Sequence, residues 1–580
     1  MIISYAQVEG RTTRRPFDRR QLGAGNVSAI SGTASRRYLA EQLLLALKAR
    51  GAGAVFGIPG DYALPLFDVL VKGDILPLYT LSHEPGVAYA ADASARVTQG
   101  LGVAVATYGA GALNLVNGVA GAYAERSPLV VISAAPARSK TGRELLLHHQ
   151  VAGLDCQLRV FREITCAQAV LDDPETAPEL IAKTLDACVR QSLPVYIEIP
   201  RDMAQEPCGP VPPPRLEPSD PDTVAECAAE IAAIVKGAER PVLMVGVEVR
   251  RHGIEAEVVE LVRHLGIPVV TSFMGRGVAS THSLNPAGCY LGLAGDPEIA
   301  KLVEESDALI LLGVIFCDGN LGLPASQLDL RRVVHAFGGA VRISHHDYRD
   351  VALKDLVQAL RRKAEGRQAL PIPADRAGAV RAPLLPDDGP IRPSDISGAV
   401  NGLFAKHGIM PVTCDVGDCL FVSLEIEHAD LLAQAYYVSM GFAVPAAFAL
   451  QAAGQRPIVL VGDGAFQMTG WELGNCARYG FDPIVLVLNN KSWDMLRAFS
   501  RQSRFNDLSD WHFAELAGPL GGDGVRVTTH RELVEALEKA WATRGRFQLI
   551  DIALERGVVS DTLDRFVGAF ARAKAQSPKG

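Results

Sequence analysis

The stretch Pro457-Ile458-Val459-Leu460-Val461-Gly462-Asp463-Gly464 decides how the fold of this chain is interpreted. Its apolar run ends at a glycine, a segment with helical character follows over Ala465 to Tyr479, and a second apolar run ends at Asn489-Asn490. Continuous β-branched runs on either side of a helix are typical of buried parallel strands in a βαβ unit. We therefore predict an α/β protein built from doubly wound parallel sheets.

Two oxygen-bearing side chains, Asp463 and Asn490, follow the ends of these two strands. Ligands of open parallel sheets bind outside the carboxyl ends of the strands, where glycines let the backbone approach a phosphate and a helix start offers free N–H groups. Mg²⁺ prefers a carboxylate, an amide oxygen and a diphosphate. A solvated aspartate in a turn is the alternative, but the order of strand, helix, strand and asparagine pair favours a metal–diphosphate site.

Composition limits the classes of partner. The 580 residues carry a net charge of −8, which argues against nucleic acid or an anionic membrane as a partner. No apolar run reaches the roughly 20 residues that span a bilayer, so we expect no membrane segment. The ten cysteines include no CxxC pair, and reduced thiols in a cytoplasmic enzyme are the simplest interpretation.

Loose segments rich in proline, 206–221 and 366–393, divide the chain. Strand patterns alternate with helical patterns in each of the remaining parts, so each part is predicted to hold one doubly wound sheet. The predicted ranges are 1–33 for a basic, disordered tail (favoured over an organellar leader), 34–205 for the first domain, 222–365 for the middle domain and 394–566 for the third.

The Gly-Asp-Gly and Asn-Asn motif resembles the signature of thiamine-diphosphate enzymes. The layout of three domains resembles the 2-oxo-acid decarboxylases among them, and most of all the bacterial phenylpyruvate/indole-3-pyruvate decarboxylase type. Three further motifs carry this resemblance: Gly57-Ile58-Pro59-Gly60-Asp61, Leu81-Ser82-His83-Glu84-Pro85 and Leu147-His148-His149-Gln150. The resemblance implies a pyrimidine-binding, a middle and a diphosphate-binding domain, in chain order.

The resemblance also implies that the cofactors are thiamine diphosphate and Mg²⁺. It assigns the metal to Asp463, Asn490 and the carbonyl of Ser492, and it places the diphosphate beside Gly462, Gly464 and Ala465. By the same match, the carbonyl of Val438 accepts a hydrogen bond from the cofactor's amino group and Met440 holds the two rings of the cofactor apart. A methionine packed in the core is the alternative for Met440.

Glu84 follows a strand-like run and opens a helix of small residues. The resemblance makes it the acid beside the pyrimidine N1′, which lets the cofactor's own amino group take the proton from the reactive carbon. A glutamate that merely favours a helix N-terminus is the alternative.

Asp61, His148 and His149 match the proton relay of the family. Decarboxylation leaves an enamine on the cofactor that must be protonated, and adjacent imidazoles can carry protons near neutral pH. A plain polar loop is the alternative. In the family the first domain of one chain faces the third domain of another, so we expect a homodimer or homotetramer with active sites between subunits.

One position departs from the family pattern. Pyruvate-decarboxylase-type enzymes carry a glutamate six residues after the second asparagine, and here that residue is Leu496. We expect Leu496 and Trp493 to border a dry pocket that suits an aromatic side chain. Asp494 is expected to point elsewhere on the helix. The acids considered as replacements are Asp415, which ends a strand and ranks first, Asp318 and Asp418.

These observations predict the non-oxidative decarboxylation of aromatic 2-oxo acids, phenylpyruvate and indole-3-pyruvate, to an aldehyde and CO₂. Three alternatives stay open: a carboligase similar to acetolactate synthase, a branched-chain 2-oxo-acid decarboxylase, and a cofactor-binding protein with an inactive site. A dinucleotide site at Gly109-Ala110-Gly111 is disfavoured because Asn114 occupies the third glycine position. The tract Met274-Gly275-Arg276-Gly277 is too short a signal for a flavin site.

Overall fold

The computed structural model of the chain describes residues 37–140, 145–278, 284, 286–292, 295–317, 328–363, 380–427, 430–500 and 502–576. Three six-stranded sheets with helices packed on them follow one another in the described chain. The predicted α/β fold with three such domains is confirmed. The predicted tail 1–33 and the candidate acid Asp318 lie outside the described residues.

The sheet of the first domain is fully parallel. Its strands are β2 (Val55–Gly57), β3 (Leu78–Thr80), β4 (Gly102–Ala106), β5 (Leu129–Ala135), β6 (Ala167–Val170) and β7 (Val195–Pro200), in the order β3-β2-β4-β5-β7-β6. Its helices are α1 (Leu39–Ala49), α2 (Leu64–Gly73), α3 (Glu84–Thr98), α4 (Ala110–Asn114), α5 (Val116–Ala124), α6 (Cys156–Arg162) and α7 (Ala177–Gln191). A short antiparallel pair, β1 (Arg37–Tyr38) and β8 (Pro207–Cys208), gives the proline-rich segment a regular element that was not expected.

The middle sheet is mixed rather than fully parallel. Its strands are β9 (Pro241–Val245), β10 (Val269–Thr271), β11 (Ala308–Leu312), β12 (Val333–Phe337), β13 (Ala340–Ile343) and β14 (His346–Arg349), in the order β10-β9-β11-β12-β13-β14. Two hairpins make β12, β13 and β14 antiparallel to one another, because connections this short cannot cross over the sheet. The helices are α8 (Pro221–Gly237), α9 (Val247–Arg251), α10 (Glu255–Leu265), α11 (Pro297–Glu304) and α12 (Leu353–Lys363).

The third sheet is again fully parallel. Its strands are β15 (Val412–Cys414), β16 (Leu431–Ala433), β17 (Ile458–Gly462), β18 (Ile484–Asn489), β19 (Asp523–Val527) and β20 (Gln548–Ala553), in the order β16-β15-β17-β18-β20-β19. Its helices are α13 (Pro393–His407), α14 (Asp418–Leu424), α15 (Ala443–Ala452), α16 (Asp463–Thr469), α17 (Cys476–Tyr479), α18 (Asp494–Phe499), α19 (Phe513–Ala517), α20 (His530–Ala542) and α21 (Asp561–Gln576). The last helix continues beyond the predicted end of the domain at residue 566.

The helix predicted over Ala465 to Tyr479 is broken in the structure. It consists of α16, a 3₁₀ helix over Gly470–Asn475, and α17. A Cβ at Gly470 would lie 2.3 Å from the ring of Phe466, so the ring packs directly on the glycine where the helix changes. The change of pitch turns Glu472 toward the first domain, where its carboxylate accepts hydrogen bonds from the backbone N–H groups of Ser82 (2.9 Å) and His83 (3.1 Å).

The first and third domains of the chain share one hydrophobic core. Helix α3 packs on α15, and nearly every residue of both helices is buried. Alanine is the commonest residue of both helices, which lets their axes approach closely; Tyr89 fills the remaining space by meeting the ring of Phe442 edge-on at 5.9 Å. Glu84, the first residue of α3, is therefore held in a fixed relation to the third domain of its own chain. No helix in the described part combines the length and apolar character needed to cross a membrane.

Candidate active site

The predicted metal ligands come together at the carboxyl edge of the third sheet. Asp463 begins α16 directly after β17, and Asn490 follows the neighbouring strand β18. The backbone N–H of Ser492 donates to Asp463 Oδ2 (3.3 Å) and to Asn490 Oδ1 (3.0 Å), so both side-chain oxygens lie within reach of one point.

The electrostatics of this cluster fit a cation. Burial raises the pKa of Asp463 to about 7, against the opposing effect of backbone N–H groups such as that of Gly464. Among the described residues, no Lys or Arg forms an ion pair with this carboxylate. A bound divalent ion would offset the cost of burying the charge, and carboxylate and amide oxygens are ligands that Mg²⁺ accepts.

Glycines on both sides of Asp463 have different roles. A Cβ at Gly464 would lie 2.3 Å from Nε1 of Trp493, so glycine is required for the indole to lie over the start of α16. No atom lies within 4 Å of a Cβ at Gly462. This open space, where strand β17 ends and α16 begins, is suited to a phosphate. Ala465, the other predicted neighbour of the diphosphate, is buried in α16.

Leu496 and Asp494 lie on different sides of α18, as predicted. The Leu496 side chain is 53% exposed, whereas Asp494 is buried and accepts a hydrogen bond from the backbone N–H of Gly557 (2.7 Å). Trp493 precedes the helix and is partly exposed. The surface on this side of the metal cluster is thus apolar where the family pattern has an acid.

Val438 and Met440 lie on a loop, residues 434–441, between β16 and α15. Val438 adopts a left-handed backbone conformation with φ of 52° and is half exposed. Met440 is partly buried and packs against the shared core of the first and third domains. These positions leave the carbonyl of Val438 and the side chain of Met440 at the edge of the third domain.

The carboxylate of Asp415 is held by backbone N–H groups of the third domain. Its side chain is fully buried at the end of β15, and its carboxylate accepts hydrogen bonds from the backbone N–H groups of Gly441 (3.1 Å) and Ala443 (3.0 Å). Burial raises its pKa to about 6. That Asp415 replaces the missing acid stays a prediction: the strand end was predicted correctly, and the carboxylate accepts hydrogen bonds from backbone N–H groups. Asp418 is partly buried and accepts a hydrogen bond from the backbone N–H of Ser560 (2.8 Å).

Glu84 has a partner that the sequence analysis missed. The side chain of Asn114 donates a hydrogen bond to Glu84 Oε2 (2.8 Å). A Cβ at Gly111 would lie 3.3 Å from Glu84 Oε1, and one at Gly109 would lie 2.2 Å from the carbonyl oxygen of His149. The glycine pair that superficially suggested a dinucleotide site therefore makes room for the catalytic candidates of the first domain.

Asp61, His148 and His149 form one cluster. Asp61 Oδ2 lies 2.7 Å from Nε2 of His148, and Nδ1 of His149 lies 3.0 Å from the carbonyl oxygen of Tyr108. The ring of Tyr62 stacks on that of His148 at a centroid distance of 4.6 Å. Partial burial alone would raise the pKa of Asp61, but the hydrogen bond and charge of His148 hold that pKa below its ordinary value.

The first-domain residues Glu84, Asp61, His148 and His149 and the third-domain residues Asp463 and Asn490 form two groups that do not bond to each other directly within the described part of one chain. No hydrogen bond or ion pair among the described residues joins the two groups. Large apolar side chains near the relay are exposed, with Leu145 at 74% and Leu146 at 77%.

At the equivalent place in the described part of the middle domain, two backbone segments pack directly on each other. Its sheet reverses strand order between β9 and β11, where a ligand of a doubly wound sheet would bind. A Cβ at Gly246 would lie 2.2 Å from the carbonyl oxygen of Gly313, so backbone packs on backbone there. Arg276, in the tract considered for a flavin, is buried and donates to the carbonyl oxygens of Ser423 and Ile426.

Comparison with known proteins identifies the family. Residues 37–156, 228–360 and 415–552 match the N-terminal TPP binding domain, the central domain and the C-terminal TPP binding domain of the thiamine pyrophosphate enzymes. An indole-3-pyruvate decarboxylase of Azospirillum brasilense is 54% identical over 538 residues, which cover 91% of this chain and 97% of that protein. The chain belongs to the thiamine-diphosphate-dependent 2-oxo-acid decarboxylases.

More distant members of this decarboxylase family align over a similar length. A probable pyruvate decarboxylase of Schizosaccharomyces pombe is 28% identical over 93% of this chain and 97% of its own. An alpha-keto-acid decarboxylase of Mycobacterium tuberculosis is 28% identical over 92% of this chain and 97% of its own. The predicted enzyme class, a carboxy-lyase dependent on thiamine diphosphate, is confirmed.

Proposed function

We propose that this decarboxylase acts on aromatic 2-oxo acids, indole-3-pyruvate and phenylpyruvate, and releases the aldehyde and CO₂. The observation that carries the proposal is the identity of 54% with a protein named as an indole-3-pyruvate decarboxylase. The exposed Leu496, on the helix that follows Asn490 and Ser492, supports it, because an apolar side chain at the substrate favours an aromatic substituent over a small polar one.

We assign the binding of thiamine diphosphate and Mg²⁺ to the third-domain cluster. Asp463 and Asn490 supply side-chain oxygens for the metal, with Ser492 beside them, while Gly462 leaves space for a phosphate. When bound, the cofactor supplies the nucleophilic carbon and the electron sink that decarboxylation needs. The 434–441 loop presents the Val438 carbonyl and the Met440 side chain to it.

The first domain supplies the groups that move protons. Glu84, oriented by the hydrogen bond from Asn114, holds a proton beside the pyrimidine ring. Asp61 and His148 share a hydrogen bond and stand next to His149, so a proton can pass along this cluster to the carbon that has lost CO₂. Asp415 and Asp418 hold backbone N–H groups and Asp318 lies outside the described residues, so we propose that the relay serves the role of the acid that the family carries at the position of Leu496.

We propose that two copies of the chain complete each active site. The first-domain and third-domain clusters do not bond to each other directly within the described part of one chain, and apolar side chains next to both are exposed: Leu145, Leu146, Val151, Val438, Met468 and Trp471. A second copy that covers them would bring the two clusters together. We further propose a cytoplasmic location, which the absence of disulfides among the ten cysteines supports.

A panel of 2-oxo acids tests the proposal. Pyruvate, a branched-chain 2-oxo acid, phenylpyruvate and indole-3-pyruvate are assayed for CO₂ and aldehyde, with thiamine diphosphate and Mg²⁺ present or removed. The expected result is the highest kcat/KM with the two aromatic acids and no turnover without cofactor. A preference for the branched-chain acid, an acetoin-type condensation product, or cofactor binding without turnover of any acid would each favour one of the alternatives instead.

A further inference from the structure

The 434–441 loop is held at its far end by its own domain and at its near end by the first domain. Asp415 accepts the backbone N–H groups of Gly441 and Ala443 at the far end. At the near end, Glu125 Oε1 accepts the backbone N–H groups of Tyr436 (2.7 Å) and Tyr437 (3.0 Å). Glu125 lies 311 residues earlier in the chain, at the end of α5.

We propose that Glu125 is a positioning residue for the cofactor: it fixes the conformation in which the 434–441 loop presents Val438 and Met440. This inference rests on the proposed role of that loop in cofactor binding. Glu125 does not touch the loop's side chains; it acts through the two backbone N–H groups just before Val438.

The carboxylate of Glu125 is costly to place where it is. The residue is 0% exposed, and burial raises its pKa although Arg96 and the two N–H groups act in the opposite direction. Its second oxygen makes no hydrogen bond among the described residues and faces Nη1 of Arg96 at 3.6 Å. A buried carboxylate with one oxygen that lacks a hydrogen bond is costly for the folded protein, so general stability does not explain why it is there. Its other oxygen, which accepts the two N–H groups of the 434–441 loop, gives it a role.

Other first-domain groups hold the same loop at the same end. Arg96 forms a bidentate ion pair with Asp92 and donates to the carbonyl oxygen of Ala433 (2.7 Å), the residue before the loop. The hydroxyl of Tyr437 donates to Asn117 (3.2 Å). A Cβ at Gly121 would lie 2.8 Å from the Gln434 amide, so the loop lies directly on α5.

The loop needs such support because its conformation is unfavourable. A β-branched valine at φ of 52° is sterically unfavourable and persists only where the surroundings determine it. Val438 itself is half exposed and receives little packing. The two buried carboxylates, one from each domain, fix the backbone on either side of it.

The test compares Glu125→Ala, Glu125→Gln and a matched control in the full-length protein. Glu248→Ala is the control. Glu248 is also a buried carboxylate (1% exposed) that links two domains, since it lies 3.0 Å from Nε of Arg126 in the first domain and accepts a backbone N–H in the middle domain. It forms no hydrogen bond or ion pair with the described residues of the 434–441 loop. The measurements are Kd for thiamine diphosphate by calorimetry at saturating Mg²⁺, the circular dichroism of the bound cofactor, and Tm without cofactor.

We expect Glu125→Ala to weaken thiamine diphosphate binding by about tenfold or more and to alter the dichroism of the bound cofactor, since two buried N–H groups lose their acceptor. Glu125→Gln keeps an acceptor oxygen and is expected to bind within about threefold of wild type. Glu248→Ala is expected to lower Tm and leave Kd unchanged.

Unchanged cofactor Kd and dichroism in Glu125→Ala, with a Tm loss like that of Glu248→Ala, would overturn the positioning role. If Glu125→Ala is insoluble, Glu125→Asp decides, because the shorter side chain keeps the charge but withdraws the acceptor oxygen from the N–H groups of Tyr436 and Tyr437. Unchanged Kd and dichroism there also overturn the proposal. Failure of the proposed function is recognised separately, as wild-type protein that binds no thiamine diphosphate.

Discussion

Single residues at the strand ends carry most of the information that the sequence could provide. Asp463 and Asn490 were found because each follows a continuous apolar strand, and the structure brings them to one backbone N–H. Asn114, Tyr62 and Glu125 were missed because their roles depend on contacts with residues far along the chain, which leave no periodic pattern. Asp415 shows the limit of the argument: its location was predicted, but not the direction of its side chain.

Leu496 is the residue at which substrate preference can be changed. In Leu496→Glu, a carboxylate would lie beside the aromatic group of the substrate. Binding of that apolar group would remove water from the carboxylate, and this cost would weaken binding of the aromatic substrate. We expect kcat/KM for phenylpyruvate relative to pyruvate to fall by about tenfold, equivalent to about 1.4 kcal/mol. Leu496→Gln, of the same length and uncharged, is the control and should fall less. An unchanged ratio in Leu496→Glu would rule out this pocket.

Asp415 gives the stability a pH dependence with a definite sign. Its pKa rises from 3.8 to about 6 on folding. Between these values the folded protein holds a proton that the unfolded chain has lost, so this contribution to stability falls as pH rises, by up to about 1.4 kcal/mol per unit. In Asp415→Asn this titration is absent. Wild-type Tm minus variant Tm should therefore fall from about pH 4 to about pH 6; a constant or rising difference would contradict the buried, ionising carboxylate.

At the scale of elements, the buried strands were predicted closely because their runs are short, apolar and bounded by turn residues. The hairpins of β12 to β14 were not, because their residues are partly exposed and carry no continuous apolar run. The helix after Asp463 was predicted as one piece, because the apolar pattern of the sequence does not show that the ring of Phe466 packs on Gly470. Its break is what lets Glu472 reach the strand-to-helix turn before Glu84.

The C-terminal helix α21 supports the short helix that carries Leu496. The ring of Phe570 meets that of Phe499 on α18 at 5.4 Å, while Phe566 meets Phe421 on α14 at 5.2 Å. We expect Phe570→Ala to raise KM for an aromatic substrate several-fold with a small loss of Tm, because α18 loses its neighbour. Phe566→Ala, the matched control, should lower Tm with KM unchanged. Equal effects of the two variants on KM would show that α21 acts only on stability.

At the scale of the whole molecule, the three sheets and the family follow from the sequence, but the assembly of the active site does not. Composition and periodicity describe one chain, whereas the absence of direct bonds between the first-domain and third-domain clusters of the described chain becomes evident only in three dimensions. The shared core of α3 and α15 ties the start of α3 to one face of the third domain of its own chain. The account therefore depends on a second copy.

Complementation between two inactive variants tests this dependence most directly. Glu84→Gln and Asp463→Asn chains are co-expressed with different tags, and the mixed dimers are assayed with phenylpyruvate. If Glu84 and Asp463 of different chains serve one cofactor, each mixed dimer has one intact site of two. Random pairing makes about half of the dimers mixed, so the whole preparation should recover about a quarter of wild-type activity. If both residues of a single chain serve one cofactor, no combination restores a site, and an inactive mixture of correctly folded dimers would contradict the account.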